Sequence, residues 1–349
     1  MSKNKRLIIL TKKFGYNFTG ATLATHELLK HWVKEFDEVI VITRQVGMYD
    51  SNLNIKLMQA KSIFEVIKIL KGIKRDYPDA VYYSDDHTGC LMKVCGVEYY
   101  HTYHGNWPDA KKVSFDFWLK SLFFIPIYKL TIKNAKLVIN VSYYMEKYTR
   151  TINGNTIVIR NGLAQKCESI TCDRFLKEVK VNDKLNIVMI GTIDKRKYRN
   201  ALKLFNLIVK NKLDKMINID IYGRLQDIKI AKALDSYCFV NLKGYTNRIE
   251  LSKYDIFLHT STIENLAISV CEAIVNKVPV ICFNVGGIGE VVRNGINGFL
   301  VSKKDVDEMY RKLESIIEKG YTFVFDDRYL FNFDWKFAAE EYLKVFNIL

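Results

Sequence analysis

The stretch Ser261-Thr262-Ile263-Glu264-Asn265-Leu266-Ala267-Ile268-Ser269-Val270-Cys271-Glu272-Ala273 decides how this chain is read. It follows one apolar run, Asp255-Ile256-Phe257-Leu258-His259-Thr260, and precedes a second, Val278-Pro279-Val280-Ile281-Cys282-Phe283. The pattern predicts a buried strand ending near Thr260, a helix starting near Leu266 and a second strand from near Val278. Glu264 and Glu272 bracket the start of that helix. Eight residues at helical rise span at most about 12 Å, the reach from the sugar of a nucleotide-sugar, across its diphosphate, to the ribose. Free N–H groups at the helix start lie between the two acids, where a diphosphate is bound best. Two glutamates at this spacing can equally be one acid favoured by the helix dipole and one solvated acid on its face. The strand–loop–helix edge, followed by Pro279 and Gly286-Gly287-Ile288-Gly289-Glu290, favours the ligand reading.

Outward from this stretch, 349 residues suffice for two domains with full cores. Hydrophobic residues make up 49% of the chain and charged ones 26%, the composition of a folded protein. The basic start, Met1 to Leu10, holds too short an apolar run for a signal peptide. The run Ser121 to Tyr128 is too short to cross a bilayer, so a cytoplasmic location is expected. The cysteines number seven, an odd count with no C-x-x-C pair, and are expected as free thiols. His101 and His104 are spaced like zinc ligands, but no second pair matches them, and no metal site is expected.

The net charge of +15 calls for anionic partners. Nucleic acid is excluded by the lack of a long Lys/Arg run, zinc-finger spacing or an RNP-like strand. Between 101 and 150, Lys111, Lys112, Lys120, Lys129, Lys133, Lys136, Lys147 and Arg150 interleave with Phe115, Phe117, Trp118, Phe123, Phe124 and Tyr128. Such a segment suits an anionic membrane surface, or a helix packing its rings into its own domain.

Strand candidates in the first half are Arg6–Thr11, Glu38–Thr43, Ala80–Ser84, Glu98–His104, Leu137–Ser142 and Thr156–Arg160, with a helix from Thr22 to Phe36. Residues 164–183 read as a linker and leading loop. In the second half Ile187–Gly191, Ile217–Gly223, Phe239–Gly244, Asp255–Ser261, Val278–Asn284 and Phe299–Val301 alternate with helices. Short buried strands alternating with helices make an α/β protein of parallel sheets covered on both faces, with ligands beyond the strands' carboxyl ends.

Several motifs resemble the retaining nucleotide-sugar glycosyltransferases of glycosyltransferase family 4. They are Ile190 to Lys197, Ile221-Tyr222-Gly223, Leu242 to Tyr245, Ser261 to Ala273 with its E-x7-E spacing, Pro279-Val280-Ile281, Gly286 to Glu290 and Asn297 to Val301. Val138 to Ser142, Val158 to Gly162 and His101 to Gly105 resemble motifs of the family's first domain, and Phe333-Asp334-Trp335 its closing helix. The resemblance implies the GT-B architecture, two Rossmann-like domains facing each other across a cleft. They would be an acceptor-side domain over 1–165 and a donor-binding domain over 166–332, with a helix over 333–349 returning to the first. Two positions depart from the family. Thr192 stands where Arg is common, with Lys197 retained, and the loop Phe14 to Ala21 has one glycine, Gly20, where two are frequent.

The resemblance further implies a retaining, metal-independent transfer with no cofactor, from a UDP-sugar by preference or a GDP-sugar, to a lipid-linked or cell-surface glycan precursor. The site would be cytoplasmic or peripheral on the inner face of the cell membrane. Glu264 would take hydroxyls of the donor sugar, Glu272 the ribose, and His104 the transferred sugar. Lys197 and Arg196, with the backbone of Asn265, Leu266, Ala267 and Ile268 and the helix start at Gly20, would face the diphosphate. Asp86 and His87, beyond the strand Ala80–Ser84, are acceptor-side candidates. A nucleotide-sugar epimerase on the same fold, and a non-catalytic binder of nucleotide-sugars or anionic polymers, are the alternatives.

Overall fold

The computed structural model describes residues 5–112, 114–163, 174–246, 248–326 and 333–348. It divides into two compact units, Met1–Gly162 with Asn332–Leu349, and Leu163–Phe331.

The first unit is a seven-stranded sheet in the order β3-β2-β1-β4-β5-β6-β7, parallel throughout. The strands are β1 (Arg6–Phe14), β2 (Glu38–Val46), β3 (Lys56–Gln59), β4 (Val81–Ser84), β5 (Tyr100–Tyr103), β6 (Leu137–Asn140) and β7 (Thr156–Val158). Its helices are α1 (Gly20–Trp32), α2 (Ile63–Asp76), α3 (Cys90–Val94), α4 (Trp107–Ala110), α5 (Phe115–Asn134) and α6 (Tyr143–Arg150). Leu7 to Leu10 are unbrokenly apolar because both faces of β1 are covered. Leu7 and Ile9 pack with α1, whereas Ile8 and Leu10 pack with Val66 and Leu70 of α2. Thr19 and Thr22 cap the start of α1 reciprocally.

The second unit is a six-stranded parallel sheet in the order β11-β10-β9-β12-β13-β14. Preceded in the chain by β8 (Phe175–Val179), it comprises β9 (Leu185–Ile190), β10 (Ile217–Tyr222), β11 (Val240–Gly244), β12 (Ile256–His259), β13 (Val280–Phe283) and β14 (Gly298–Val301). The helices are α7 (Lys195–Lys210), α8 (Ile228–Asp235), α9 (Ile268–Val275) and α10 (Val306–Lys319), after which comes β15 (Tyr321–Phe325). In both sheets the strand order reverses beside the first strand, between β1 and β4 and between β9 and β12. That is where open α/β sheets bind ligands.

The last helix, α11 (Trp335–Val345), packs on the first unit. Trp32 of α1 lies edge-on to Tyr83, Tyr342 and Phe346 at 5.4, 5.3 and 5.5 Å. Tyr83 donates to Thr102 Oγ1 at 2.9 Å, and Thr102 and Tyr342 share a hydrogen bond of 2.9 Å. Gly162 admits this chain end closely, since a Cβ there would lie 2.4 Å from the Trp335 ring.

Four elements differ from the sequence reading, the unanticipated strand β15 among them. Residues 175–179, read as loop, form β8, which pairs antiparallel with β15. Only Val179 of β8 is fully buried, and Lys177 and Glu178 mask the pattern. The pairing is set by a partner strand far downstream, with Phe175 and Phe325 facing at 6.4 Å. The short strand β3, with no fully buried residue, was not anticipated either. The helix after β12 starts at Ile268 rather than Leu266, for a reason that lies in the site. Residues 164–173 of the anticipated loop lie outside the described residues, as do Cys167 and Cys172; Cys90, Cys95, Cys238, Cys271 and Cys282 are free thiols. Among the described residues no helix is long and apolar enough to cross a membrane.

Candidate functional site

In the second unit β9 is followed by Gly191, whose φ of +155° is costly for any residue with a Cβ. A Cβ on Gly223 would lie 1.9 Å from the Gly191 carbonyl oxygen, and one on Gly191 would meet the Lys197 side chain at 2.8 Å. Two glycines thus let β9 and β10 end in contact while Lys197 lies across the bare backbone. Asp194 caps α7 by accepting from the Lys197 N–H at 2.9 Å, and the Lys197 carbonyl accepts from Thr260 Oγ1 at 2.6 Å. The base of the Lys197 side chain is therefore fixed from both sides. Arg196 turns to Asp194 instead, with Nη2 3.4 Å from its Oδ2.

Beyond β12, Glu264 Oε1 lies 3.2 Å from His259 Nε2 and 3.8 Å from Lys197 Nζ. Burial alone raises the Glu264 pKa, but Lys197, His259 and Arg196 outweigh it and hold the carboxyl down at about 2. Glu264 is a fixed anion. The loop that carries it is pinned by a distant turn. Gly287 N–H donates to the Asn265 carbonyl at 2.6 Å, and Gly286, at φ +59°, has no room for a Cβ, which would lie 2.1 Å from the Glu264 carbonyl oxygen. With the Asn265 carbonyl drawn to that turn, Asn265 and Leu266 stay outside the helix, and α9 begins two residues later than the apolar pattern suggests.

The other helices of this sheet, α7, α8 and α10, are each capped by an aspartate, Asp194, Asp227 and Asp305. Ala267 occupies that place on α9, and no side chain caps it. No side chain accepts from the N–H groups at this start, and helix starts of this kind are where proteins hold anions. One turn on, Glu272 is half-buried, and that burial pushes its carboxyl up to about 7. Its side chain meets no hydrogen-bond donor among the described residues.

In the first unit His104 directly follows β5. Its Nε2 is buried without a partner, and burial lowers the ring to about 4, so it is neutral at physiological pH. His101 is wholly buried, 2.9 Å from Ser84 Oγ, and burial and His104 lower it to about 3. Gly20 is exposed at the first position of α1. Asp86 accepts from the Lys12 N–H at 2.6 Å, from the Thr88 N–H at 2.7 Å and from the Thr88 hydroxyl. Both its oxygens are thus taken by the strand-end turn, and the ring of His87 lies against Phe124 and Tyr128. The neighbouring Asp85 is the less satisfied acid. Oδ2 accepts from Thr25 Oγ1 at 2.5 Å, Oδ1 has no partner, and burial and then Asp86 raise it to about 7. Among the described residues no group of three His, Cys, Asp or Glu is placed to hold a metal ion.

Comparison with known proteins bears on this arrangement. Residues 173–324 match the family Glycosyl transferases group 1, and residues 18–164 match Glycosyltransferase Family 4. The chain belongs to glycosyltransferase family 4. An uncharacterised glycosyltransferase of Methanocaldococcus jannaschii is 28% identical over 239 residues, 63% of this chain and 60% of that one. The chain thus spans no more than about three-fifths of the length of the first curated relatives it matches. The solved structure of Anabaena HepE in complex with UDP and glucose superposes with a TM-score of 0.71 at 16% identity, over 98% of this chain and 99% of that one. WaaG, a glycosyltransferase involved in lipopolysaccharide biosynthesis, gives 0.70 at 12% identity over 97% and 95%. At such identities the likeness concerns the fold, and the two parallel-sheet units are the Rossmann-like domains of the GT-B architecture.

Within this family-4 chain the structure joins Glu264 and Lys197 and adds two residues that the sequence reading passed over. His259 closes an apolar run and looked like a strand residue; its distance of five positions from Glu264 was the available signal. Asp194 was read only as part of the Ile190–Lys197 motif, yet it orients the backbone of Lys197 and engages Arg196.

Proposed function

We propose that the chain transfers a sugar from a nucleotide-diphosphate sugar, by preference a UDP-sugar with GDP-sugars second, to a lipid-linked or cell-surface glycan precursor. The anomeric configuration is retained, and the reaction needs no metal ion. The observation that carries this reading is the uncapped start of α9, set between a glutamate that is already paired and one that is not.

In this reading the diphosphate rests on the N–H groups of Ala267 and Ile268, with Lys197 beside it. As the bond from the anomeric carbon to the diphosphate oxygen breaks, negative charge grows there, and Lys197 and the helix start stabilise it. Those two positive groups do the work a metal would otherwise do. The anionic Glu264 accepts hydroxyls of the donor sugar, and Glu272 accepts the ribose hydroxyls. The acceptor hydroxyl attacks on the face that the diphosphate leaves, and its proton passes to the departing phosphate oxygen. No protein base is assigned, and positioning accounts for most of the acceleration. The HepE complex with UDP lends support to a uridine donor, and WaaG to an envelope acceptor. A lipid-linked acceptor entails a peripheral position on the inner face of the membrane.

A thermal-shift screen with UDP, GDP, ADP and their sugar conjugates tests the donor. Ligand at a hundred times its Kd adds about 2.7 kcal/mol of apparent stability, and UDP compounds should give the largest shift. Conversion of donor to its epimer with no acceptor present, or tight binding with neither transfer nor slow donor hydrolysis, would overturn the reading.

A further inference from the structure

Helix α5, 20 residues long, is apolar nearly all the way round, yet the fold covers only one side of it. On the inner side Ser121, Thr131 and Ile132 are buried, Phe124 stacks on Trp107 at 4.7 Å and Tyr128 meets Tyr103 at 5.3 Å. On the outer side Phe115, Leu119, Leu122 and Leu130 are 73%, 56%, 55% and 47% exposed, with Trp118 and Phe123 beside them at 45% and 64%. Positions 115, 119, 122 and 130 fall in one line along a helix, and the exposed Pro126 fills the gap between the last two. The row is about 22 Å long at helical rise. Helices apolar on every side belong to cores or membranes, and a contiguous exposed apolar row marks an interaction surface.

The charge around the row says what covers it. Lys111 and Lys112 precede the helix, and Lys120, Lys129 and Lys133 lie along it, against Asp109 and Asp116. Lys111, Lys120, Lys129 and Lys133 have no acidic partner among the described residues. At the helix start Lys111, Lys112, Ser114, Phe115 and Trp118 line a shallow, open depression, with Lys112 also 3.5 Å from Asp109. Ammonium groups and a hydroxyl beside two rings suit a phosphate attached to an apolar body. A second copy of this chain would bring lysine against lysine, on a molecule that already carries +15.

We propose that α5 lies flat on an anionic phospholipid leaflet, its outer row among the upper acyl chains and its lysines at the headgroup phosphates. The rings and leucines contribute burial and the lysines contribute attraction, the combination that holds interfacial helices. The inference extends the proposed lipid-linked acceptor by naming the surface that meets its membrane, but binding itself does not depend on catalysis.

The test is sedimentation of the full chain with phosphatidylcholine vesicles, with and without phosphatidylglycerol, at physiological salt. The chain should pellet with the anionic vesicles only, and added salt should release it. Lys129→Gln and Lys133→Gln should each weaken binding about fivefold, from about 1 kcal/mol per basic residue near the surface. The combined variant Leu119→Ser, Leu122→Ser, Phe123→Ser should abolish binding while leaving the thermal unfolding midpoint in place, because these side chains are exposed. Failure of the wild type to bind anionic vesicles, equal binding to neutral ones, or undiminished binding by the serine variant overturns the inference. So does a dimer in sedimentation equilibrium that the serine substitutions dissolve. A chain that binds vesicles but ignores every nucleotide upholds this inference and removes the transferase reading.

Discussion

The protonation of Glu272 should make nucleoside binding depend on pH. Burial raises this carboxyl from 4.5 to about 7, and no donor in the described residues relieves it. Ribose hydroxyls donate to a carboxylate, so the ionised form is the competent one. The apparent affinity scales with the competent fraction, which is about a tenth at pH 6 and about nine-tenths at pH 8. UDP-glucose should therefore bind about tenfold tighter at pH 8, a gain of about 1.4 kcal/mol. Calorimetric titration across that range measures it, and UDP-glucose is the right probe because its diphosphate does not titrate there. Glu272→Gln should flatten the dependence. The same shift has a stability consequence of opposite sense. Folded Glu272 holds its proton more tightly than the unfolded chain does, so its contribution to stability is full below about pH 4.5 and is lost as pH rises through 7. Ligand-free Glu272→Gln should accordingly be more stable than wild type at pH 8, by at most about 3 kcal/mol. Affinity that does not change with pH, or one that changes equally in Glu272→Gln, would refute the reasoning.

Further outcomes follow from the same geometry. Glu264→Gln or Lys197→Ala should lower kcat by about a hundredfold to a thousandfold, the scale seen when one preorganised charge-stabilising group is removed. Circular dichroism should show both folded, and wild-type rates in both would end the assignment. His259→Ala removes a hydrogen bond to a charged carboxylate, worth roughly 1.5–3 kcal/mol. It should reduce kcat more than it raises KM, with partial rescue by His259→Gln; an unchanged kcat would leave His259 a packing residue. Gly286→Ala puts a Cβ 2.1 Å from the Glu264 carbonyl oxygen at a φ of +59°. It should shift the Glu264 loop and cost donor affinity along with roughly 1–3 kcal/mol of stability, both read from thermal shifts with and without UDP.

The parallel sheets were legible because burial on both faces leaves unbroken apolar runs such as Leu7 to Leu10 and Ile256 to Leu258. Where several strands lie between helices, the sequence pattern itself enforces the layer order. Elements set by distant partners were not legible. The start of α9 is fixed by Gly286 and Gly287, some twenty positions on, and no window centred on Leu266 contains them. The strand β8 is specified by β15, far beyond it in the chain. The environment of His259 was hidden for another reason. An unbroken apolar run says which residues are buried but not that a loop will fold a carboxylate back onto one of them.

Spacing alone made Glu264 and Glu272 look like equivalents, two acids at either end of a ligand. Their surroundings make them opposites. Glu264 has a lysine and a histidine from its own chain, stays charged down to about pH 2, and meets a ligand with its geometry already fixed. Glu272 has burial without a partner and is about half protonated at neutral pH. An acid that is half-buried and unpaired is costly, and donors arriving from outside the chain should lower that cost. On the proposed donor pose, the nucleoside half should be where binding free energy couples to protons, whereas the sugar half should meet a carboxylate that does not titrate in the physiological range. Pushing two like groups apart in pKa separates holding from reacting. If the proposed pose holds, Glu272 should respond to a bound nucleotide, whereas the partners of Glu264 are already in place without one.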